Sequence, residues 1–405
     1  MRYDVIVAGA GPAGSTAARL LAQRGAAVLL LDKRRFPRDK PCGGGVTVRA
    51  ASALGVDLTP VVERTVYGAR FSLQLGPTFD RRYPEPLTYM TQRRRLDHFL
   101  AAAAAAAGAD FHDGEGVWAI DGEGTAVGVT VRTERGAYAG RVFIGADGAN
   151  GPSRRSLGLV AEREEAVALE GNLPFEGEIP AEWRQYVALD VGDLAGGYGW
   201  VFPKADHLNV GVGGWKYAGF TLRPKLAALC RRYGFDPDAL QDVRGHHLPL
   251  RRPGAAIARG PAALIGDAAG LVDPLSGEGI HMAFASAHLA AQTALSCLSG
   301  ADGSMQEYQR AVERRLQPEL DVSRQLQEIL HFAPPPYLAL MRHSEKFWRL
   351  FCHVIRGEIT YLDFMRMIGP LRHAVDFFAG VARRRRLRRV TAGTRLLGGI
   401  GPDHA

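Results

Sequence analysis

The chain contains 405 residues, of which 46% are hydrophobic and 23% are charged, and it includes 49 glycines, 23 prolines and four cysteines. This composition excludes a disordered chain, a collagen-like repeat and a small disulfide-stapled scaffold. The length predicts two or three structural units with enough apolar surface for a core. The cysteines are scattered without a CxxC pair, so no metal site is predicted and a reducing compartment is expected.

The basic character of the chain is concentrated near its end. The formal net charge is +8, and removing six clustered arginines leaves +2; they are Arg383, Arg384, Arg385, Arg386, Arg388 and Arg389. Such a cluster suits an anionic lipid headgroup or a diphosphate, and it is equally typical of a solvated helix end. Nucleic acid is not expected as a partner, because basic segments interleaved with aromatic residues, zinc patterns and helix-turn-helix patterns are missing from the sequence.

The sequence also sets an expectation about location. The first residues run directly into a predicted strand without a basic and apolar leader. No uncharged apolar run approaches the roughly 18 residues that a membrane span needs. We therefore expect a cytoplasmic protein, with peripheral association at a membrane surface left open.

The first motif of the chain is a strand, a glycine-rich turn, a helix and a second strand. Residues 3–8 are apolar and β-branched, Gly9, Gly11 and Gly14 form GxGxxG, and the second strand ends at Asp32. In this arrangement the first glycine makes a tight turn, the second lets the backbone approach a pyrophosphate, and the third packs helix on strand. The acid, 18 residues after the third glycine, is placed to bind ribose hydroxyls. An adenine dinucleotide site is predicted at Gly9, Gly11, Pro12, Ala13, Gly14, Asp32 and Lys33.

Two further strand–turn–helix segments follow, RVFIGADGANGPSRRSLG at 141–158 and PAALIGDAAGLVDPLSGEGIHMAF at 261–284. Each alone is a common loop type. Together with the first motif they resemble the glutathione-reductase-type FAD fold of the p-hydroxybenzoate hydroxylase superfamily. The resemblance implies FAD, not NAD, as the cofactor. It also implies FAD contacts at Arg93, Asp147, Asp267, Gly277, Gly279 and Ile280.

Two more segments separate the subfamilies. FPRDKPCGGGV at 36–46 places Cys42 before three glycines, and GGYGWVFPK at 196–204 presents an aromatic strand. Both resemble the geranylgeranyl reductase family, whose signatures are a K-x-CGGG loop beside the flavin and a Y-x-W-x-FPK strand. The resemblance implies FAD contacts at Cys42, Gly43 and Gly44, and substrate contacts at Tyr198, Trp200, Phe202, Pro203 and Lys204.

The residue types and spacing in these two segments also indicate roles that do not depend on the resemblance. Tyr198, Trp200 and Phe202 alternate, so their side chains share one face of a strand, which suits either an ordinary core or a long polyene chain. Consecutive glycines let the backbone approach a planar ring closely. Cys42 is either a structural thiol or a proton source beside the flavin.

The implied reaction is reduction of isolated C=C bonds in a geranylgeranyl or other polyprenyl chain by hydride transfer from reduced flavin. Cys42, Tyr198 and Trp200 are the candidate catalytic residues, with the aromatic wall shielding a cationic carbon and Cys42 or water delivering a proton. The expected external reductant is either NADPH or the electron-donor protein ferredoxin. The alternatives are a flavin-dependent monooxygenase, epoxidase or halogenase on the same scaffold, and a non-catalytic flavin- or lipid-binding protein.

The expected fold class is α/β, with a glutathione-reductase-type FAD-binding Rossmann domain, an inserted mixed β-sheet substrate domain and a helical C-terminal region. The predicted boundaries are 1–65, 90–160 and 250–300 for the FAD domain, 66–89 and 161–250 for the substrate domain, and 301–405 for the helical, basic region. Within that last region a helix break is predicted at Pro318. The apolar face of the segment after Pro334 is expected to contact either the core or a membrane surface.

Overall fold

The computed structural model describes residues 2–121, 128–160, 163–300 and 304–396. The strands are β1 (Arg2–Ala8), β2 (Val28–Asp32), β3 (Gly45–Thr47), β4 (Arg64–Val66), β5 (Gly68–Leu73), β6 (Phe79–Arg82), β7 (Thr88–Met90), β8 (Asp110–Asp113), β9 (Val117–Asp121), β10 (Val129–Thr133), β11 (Gly136–Gly145), β12 (Arg163–Pro174), β13 (Tyr186–Val191), β14 (Tyr198–Pro203), β15 (His207–Trp215), β16 (Gln241–Arg251), β17 (Ala258–Arg259) and β18 (Ala262–Leu264). The helices are α1 (Pro12–Ala22), α2 (Val48–Leu54), α3 (Arg93–Ala106), α4 (Ser153–Ser156), α5 (Leu222–Arg232), α6 (Ile280–Leu298), α7 (Gln306–Arg315), α8 (Gln317–Phe332), α9 (Pro334–His343), α10 (Glu345–Arg356), α11 (Tyr361–Met367) and α12 (Arg372–Leu396).

The first sheet has the order β17-β18-β11-β1-β2-β8, and its neighbours from β18 to β8 run parallel. β1 and β2 are almost continuously apolar and buried because both faces of a parallel sheet are covered. Helix α1 packs against both α3 and α6. The carboxyl ends of β1, β2 and β11 therefore meet at one edge of the sheet, beside the N-terminus of α1. The strand, turn, helix and strand predicted for residues 3–32 are confirmed.

Residues 68–82 and 163–251 contribute a second sheet of seven strands, in the order β16-β12-β15-β14-β13-β5-β6. Its neighbours are antiparallel except for β13 and β5, which run parallel. Helix α5 covers one face, where Leu226 packs with Val201 in a separate core. The opposite face is turned toward the first sheet and the C-terminal helices. A small antiparallel sheet, β3-β7-β4, lies beside it.

The C-terminal region is helical, and the predicted break at Pro318 is confirmed, since α7 ends at Arg315 and Pro318 lies in the first turn of α8. Helices α9 and α10 contribute Met341 and Trp348, both fully buried, to a core shared with Phe71 of β5. The buried apolar residues of this segment thus contact the protein core. No helix in the described ranges has the length and apolar character of a bilayer span. The chain is an α/β protein with mixed sheets and a helical C-terminal region.

Candidate active site

A cavity of about 650 Å³ lies between the edge of the first sheet, the open face of the second sheet and the C-terminal helices. Its walls combine the glycine-rich turn after β1, the CGGG loop before β3, the aromatic strand β14 and the loop that precedes α6. The three dinucleotide motifs and the two subfamily segments therefore converge on one site, although the first and the last of them are more than 200 residues apart in sequence.

The glycines of the first motif are required for two different reasons. Gly9 has φ +101°, and a Cβ there would lie 2.3 Å from the Ala146 carbonyl oxygen. A Cβ on Gly14 would lie 1.8 Å from the Gly9 carbonyl oxygen, so this glycine serves helix–strand packing. Around Gly11 the space is open, and a Cβ would meet only guanidinium nitrogens of Arg38 and Arg93, at 3.6 and 3.9 Å. This open space, at the positive end of α1, fits the pyrophosphate of a dinucleotide; we call it the dinucleotide cradle.

The charged groups beside this cradle form a connected network. Arg93 is 6% exposed and donates two hydrogen bonds of 2.8 Å to Asp97. Arg38 pairs with the same carboxylate at 2.6 Å and approaches Asp32 at 3.7 Å. Asp32 accepts a hydrogen bond of 2.8 Å from the Ala10 amide, which fixes its carboxylate at the end of β2. Sequence reasoning missed Arg38, because several arginines surround it and no spacing distinguishes them.

The other predicted FAD contacts also line the cavity. Asp267 pairs with Lys40 at 2.8 Å and lies 3.7 Å from His246. Burial alone would raise the pKa of Asp267, but Lys40 and His246 hold this pKa below its usual range. Asp147 accepts a hydrogen bond from the Ser153 amide, and burial raises its pKa. Helix α6 begins at Ile280 after Gly279 without a side-chain cap, so its first amide groups are available to a ligand. Of the remaining predicted residues, Pro12, Ala13, Lys33 and Gly277 also line the cavity.

The CGGG loop is held against the aromatic strand, with no room for side chains at its first two glycines. A Cβ on Gly43 would lie 2.7 Å from the Phe202 ring. Gly44 has φ +64°, and a Cβ there would lie 2.0 Å from the Thr91 carbonyl oxygen. The Cys42 amide donates a hydrogen bond of 2.5 Å to Oε1 of Glu170 on β12. Burial raises the pKa of Glu170 to about 7.

The aromatic strand presents its predicted residues to the cavity. The ring centroids of Tyr198 and Trp200 are 6.0 Å apart, and those of Trp200 and Phe202 are 6.2 Å apart. The Trp200 indole donates to Asn209 at 2.8 Å, and the Tyr198 hydroxyl donates to the Ser276 carbonyl at 2.5 Å. These polar atoms are satisfied within the protein, so the rings offer their apolar surfaces to a ligand.

Pro203 and Lys204 are not among the described residues that line the cavity. The Lys204 side chain is 2% exposed, and its ammonium group donates to the carbonyl oxygens of Gly43 and Thr91 at 2.6 and 2.9 Å. Burial lowers the pKa of Lys204 to about 8. Because both carbonyls occupy the ammonium group, the geometry favours support of the CGGG loop over the predicted contact with substrate.

An apolar branch of the cavity continues from the aromatic strand. Leu189 pairs with Trp200 on one side and with Phe71 on the other, so all three side chains share the open face of the second sheet. Helices α9 and α10 cover this face with Met341 and Trp348. We call this branch the apolar tunnel; it is lined by Ala69, Phe71, Val187, Leu189, Leu338, Met341, Trp348 and Phe351. The alternation of apolar residues in β13 is a sequence signal for an apolar face of this strand. The sequence does not show which helix covers that face.

Comparison with known proteins agrees with this geometry. The family described as FAD binding domain matches residues 2–188. The menaquinone reductase of Mycobacterium tuberculosis is 34% identical over 71% of this chain and 76% of that protein. The geranylgeranyl diphosphate reductase of Rhodobacter capsulatus is 31% identical over 74% of this chain and 76% of that protein. The digeranylgeranylglycerophospholipid reductase 1 of Methanopyrus kandleri is 29% identical over 82% and 91%.

Solved structures give the same placement. A geranylgeranyl bacteriochlorophyll reductase-like protein from Thermoplasma acidophilum superposes with a TM-score of 0.71 at 26% identity, over 82% of this chain and 88% of that chain. A flavin-dependent brominase superposes with a TM-score of 0.70 at 18% identity, over 88% and 94%, and shares the fold alone. The chain belongs to the geranylgeranyl reductase family of FAD-dependent oxidoreductases.

Proposed function

We propose that the protein reduces isolated C=C bonds of a geranylgeranyl or other polyprenyl chain. The observation that carries this proposal is the apolar tunnel, which leads from the dinucleotide cradle between the second sheet and helices α9 and α10. A prenyl chain is long, thin and apolar, and burial in such a channel is favourable by roughly 25 cal/mol per Å². Relatives named for menaquinone, geranylgeranyl diphosphate and a geranylgeranylated phospholipid all act on molecules that carry such a chain.

Reduced FAD, when bound, supplies the hydride for this chemistry. The chain's own residues bind and orient both partners. Gly11 leaves room for the pyrophosphate, and Arg38 and Arg93 provide positive charge beside it. Cys42, Gly43 and Gly44 form one wall of the ring site, supported from behind by Lys204. The full set of FAD contacts that we assign is Gly9, Gly11, Pro12, Ala13, Asp32, Lys33, Arg38, Cys42, Gly43, Gly44, Arg93, Asp147, Asp267, Gly277, Gly279 and Ile280.

The aromatic strand orients the alkene. An isolated alkene is not polarised by a carbonyl group, so its reduction places positive charge on the more substituted carbon. The π-faces of Tyr198 and Trp200 stabilise such charge, and the water-poor surroundings of the tunnel strengthen that interaction. Phe202 completes the wall, and Pro203 ends the strand.

We assign residues 1–65, 90–160 and 250–300 to the FAD domain, which has the glutathione-reductase-type Rossmann arrangement. Residues 66–89 and 161–250 form the inserted substrate domain, and 301–405 the helical region that closes the tunnel. Beyond the first GxGxxG unit the sequence offers no second dinucleotide motif, so NADPH or ferredoxin delivers electrons without a dedicated domain. The halogenase alternative has only the shared fold in its favour.

The decisive experiment is anaerobic. The purified flavoprotein is reduced with dithionite, mixed with geranylgeranyl diphosphate or a menaquinone, and followed by flavin absorbance. Return of the oxidised spectrum without oxygen, with product mass rising by two hydrogens per alkene, supports the proposal. A flavin that stays reduced until air is admitted, and then oxygenates the substrate, replaces it with the monooxygenase alternative. A flavin that oxidises in air without changing any substrate indicates a binding protein.

We also propose that the protein associates peripherally with an anionic membrane, because prenyl lipids reside in membranes. Met367, Phe377 and Phe378 are exposed by 62, 62 and 48%. Arg384 follows Phe377 by seven residues on α12, so both lie on the same face of that helix. Exposed apolar side chains among arginines suit a lipid surface. The test is co-sedimentation of the protein with phosphatidylglycerol vesicles. We expect binding to be lost with phosphatidylcholine vesicles and in the F377A/F378A variant. Equal binding to both lipids contradicts the proposed membrane association.

A further inference from the structure

A carboxyl group lies between the large cavity and a second, much smaller pocket. Glu278 occupies the loop before α6 and lines both spaces, and its Oε1 accepts a hydrogen bond of 2.7 Å from the hydroxyl of Thr47. The second pocket, which we call the polar pocket, is lined in part by Arg49, Asp273 and His281. Its volume of about 10 Å³ corresponds to about one water molecule.

The polar pocket has the character of a hydration site. Nδ1 of His281 is buried and has no hydrogen-bond partner in the described ranges of the chain, and the side chain lines this pocket. A buried polar atom of this kind is normally satisfied by an ordered water. Tyr361 and Ser276 line both spaces as well. A proton can therefore reach Glu278 from the polar pocket as well as from the large cavity.

We infer that Glu278 is the proton donor in alkene reduction and that the polar pocket holds the water that reprotonates it. This inference rests on the proposed function. In the step, the π bond of the alkene breaks, one carbon takes a hydride with its electron pair from reduced FAD, and the other forms a C–H bond with the proton of Glu278. The alkene gains the two electrons that the flavin loses, and Glu278 is left as a carboxylate. A proton from the pocket water restores the acid.

The surroundings of Glu278 keep a proton on it near neutral pH. Burial, the largest effect, raises the pKa of Glu278 to about 7, and the negative charge of Asp273 acts in the same direction. The hydrogen bond from Thr47 and the charge of Arg49 oppose this rise in the pKa. The titratable and charged groups that face Glu278 are Arg49 of α2, Asp273, Tyr198 of β14, His281 of α6 and Tyr361 of α11. Burial and Arg49 lower the pKa of His281 to about 3, so this imidazole remains neutral.

The other acids at the site are less suited to the role. Tyr198 already donates its proton to the Ser276 carbonyl, and burial raises its pKa above the usual range. The pKa of Tyr361 is likewise raised by burial. Glu170 is engaged by the Cys42 amide on the loop side of the cavity. The sulfur of Cys42 accepts a weak hydrogen bond of 3.4 Å from the Gly44 amide. Of these acids, Glu278 and Tyr361 border both the large cavity and the polar pocket, and of the two it is Glu278 whose pKa lies near neutral pH.

The test compares E278Q, E278D and E170Q with the unmutated holoenzyme. FAD affinity is measured by flavin fluorescence and substrate affinity by titration of the oxidised enzyme, so that binding is separated from chemistry. Single-turnover reoxidation is then followed anaerobically with geranylgeranyl diphosphate between pH 5.5 and 9. We expect E278Q to bind both ligands normally and to reoxidise at least 100-fold more slowly, the usual contribution of a general acid. We expect E278D to recover part of the rate.

The pH profile distinguishes a proton donor from a structural residue. The unmutated rate should fall about tenfold per pH unit above pH 7, as should that of E170Q, whereas E278Q should show a flat profile. In D₂O the unmutated enzyme should show a solvent isotope effect that E278Q lacks. Reoxidation of E278Q at the unmutated rate, or loss of the pH dependence in E170Q instead, overturns the inference while the proposed function stands. Failure of the unmutated enzyme to reoxidise overturns the proposed function itself.

Discussion

The ammonium group of Lys204 donates a hydrogen bond of 2.6 Å to the carbonyl oxygen of Gly43, across 161 residues of sequence. The last residue of the Y-x-W-x-FPK segment thereby holds the middle of the CGGG loop in place. The two subfamily signatures are one structural unit, in which the lysine supplies donors to a loop whose first two glycines, Gly43 and Gly44, leave no room for side chains.

Replacing Lys204 by methionine tests this unit. The apolar side chain leaves the carbonyl oxygens of Gly43 and Thr91 buried and unpaired, which costs about 1–3 kcal/mol for each group. We expect the free energy of unfolding to fall by about 2–4 kcal/mol and FAD affinity to fall at least tenfold. The matched control is K216M, since the Lys216 ammonium pairs with Glu165 at the surface and should matter by less than about 1 kcal/mol. Urea unfolding and flavin fluorescence measure both effects; equal behaviour of the two variants contradicts the supporting role.

Gly11→Ala separates folding from cofactor binding. A methyl group at this position meets only two guanidinium groups at ordinary contact distance, so the protein without FAD should lose at most about 1 kcal/mol of stability. The same methyl group occupies the place of the pyrophosphate, and we expect FAD affinity to fall at least 100-fold. The comparison variant is G14A, whose Cβ collides with the Gly9 carbonyl and should destabilise the protein with or without FAD. Normal FAD affinity in G11A would show that the pyrophosphate lies elsewhere.

The two glutamates with a raised pKa predict how stability varies with pH. Glu170 and Glu278 have a pKa of about 7 in the folded protein against an ordinary value of 4.5. A raised pKa of a carboxyl group means that the folded state holds the proton more tightly, so the stabilisation is full below pH 4.5 and is lost as the pH rises through 7. The difference corresponds to about 3 kcal/mol for each group.

Two other groups act outside this range of pH. The lowered pKa of Lys204, about 8, makes stability change with pH only between that value and 10.5, and the lowered pKa of Asp267 makes stability change with pH only below about pH 4. His281 and His331, whose pKa burial lowers to about 3 and about 4, make stability rise with pH up to about 6.5 and oppose the glutamates below that value. Urea unfolding of the FAD-saturated protein should therefore show stability falling between about pH 6.5 and 7.5. The slope should be shallower in E170Q and in E278Q. A slope that neither substitution changes would assign the effect to other groups.

The apolar tunnel predicts a variant with altered chain-length selectivity. Ala69 lies on β5 next to Val187 of β13, and both line the tunnel. In A69F a phenyl ring projects into this space and shortens the room for a prenyl chain. We expect KM for geranylgeranyl diphosphate to rise at least tenfold, while KM for the shorter geranyl diphosphate changes less than twofold. The flavin spectrum serves as a control for an intact FAD site, and equal changes for both substrates would place the chain elsewhere.

The parts of the site that sequence could predict are those built from neighbours in sequence. The turn from Gly9 to Gly14 and the acid at Asp32 lie within one strand–helix–strand unit, whose spacing alone determines their arrangement. The alternation of Tyr198, Trp200 and Phe202 likewise predicted a shared face, which the cavity lining confirms.

The other parts of the site could not be predicted, because they depend on contacts between segments that are distant in sequence. The tunnel needs α10 to lie over β5, which joins Trp348 to Phe71 across 277 residues, and periodicity shows only that each face is apolar. The direction of the Lys204 side chain depends on the position of the CGGG loop, so a motif match could not distinguish support from substrate binding. Arg38 could be recognised as a candidate site residue only from the structure, because the fold places its guanidinium group beside Gly11.

The roof of the tunnel has an evolutionary consequence. It is made by α9 and α10, helices that carry none of the residues assigned to the cofactor, and its floor is the second sheet. Substitutions in that roof reshape the space for the lipid while the redox centre stays untouched. A single ancestral scaffold can thus diversify into enzymes for quinones, diphosphates and phospholipids through substitutions in the two helices that cover the tunnel.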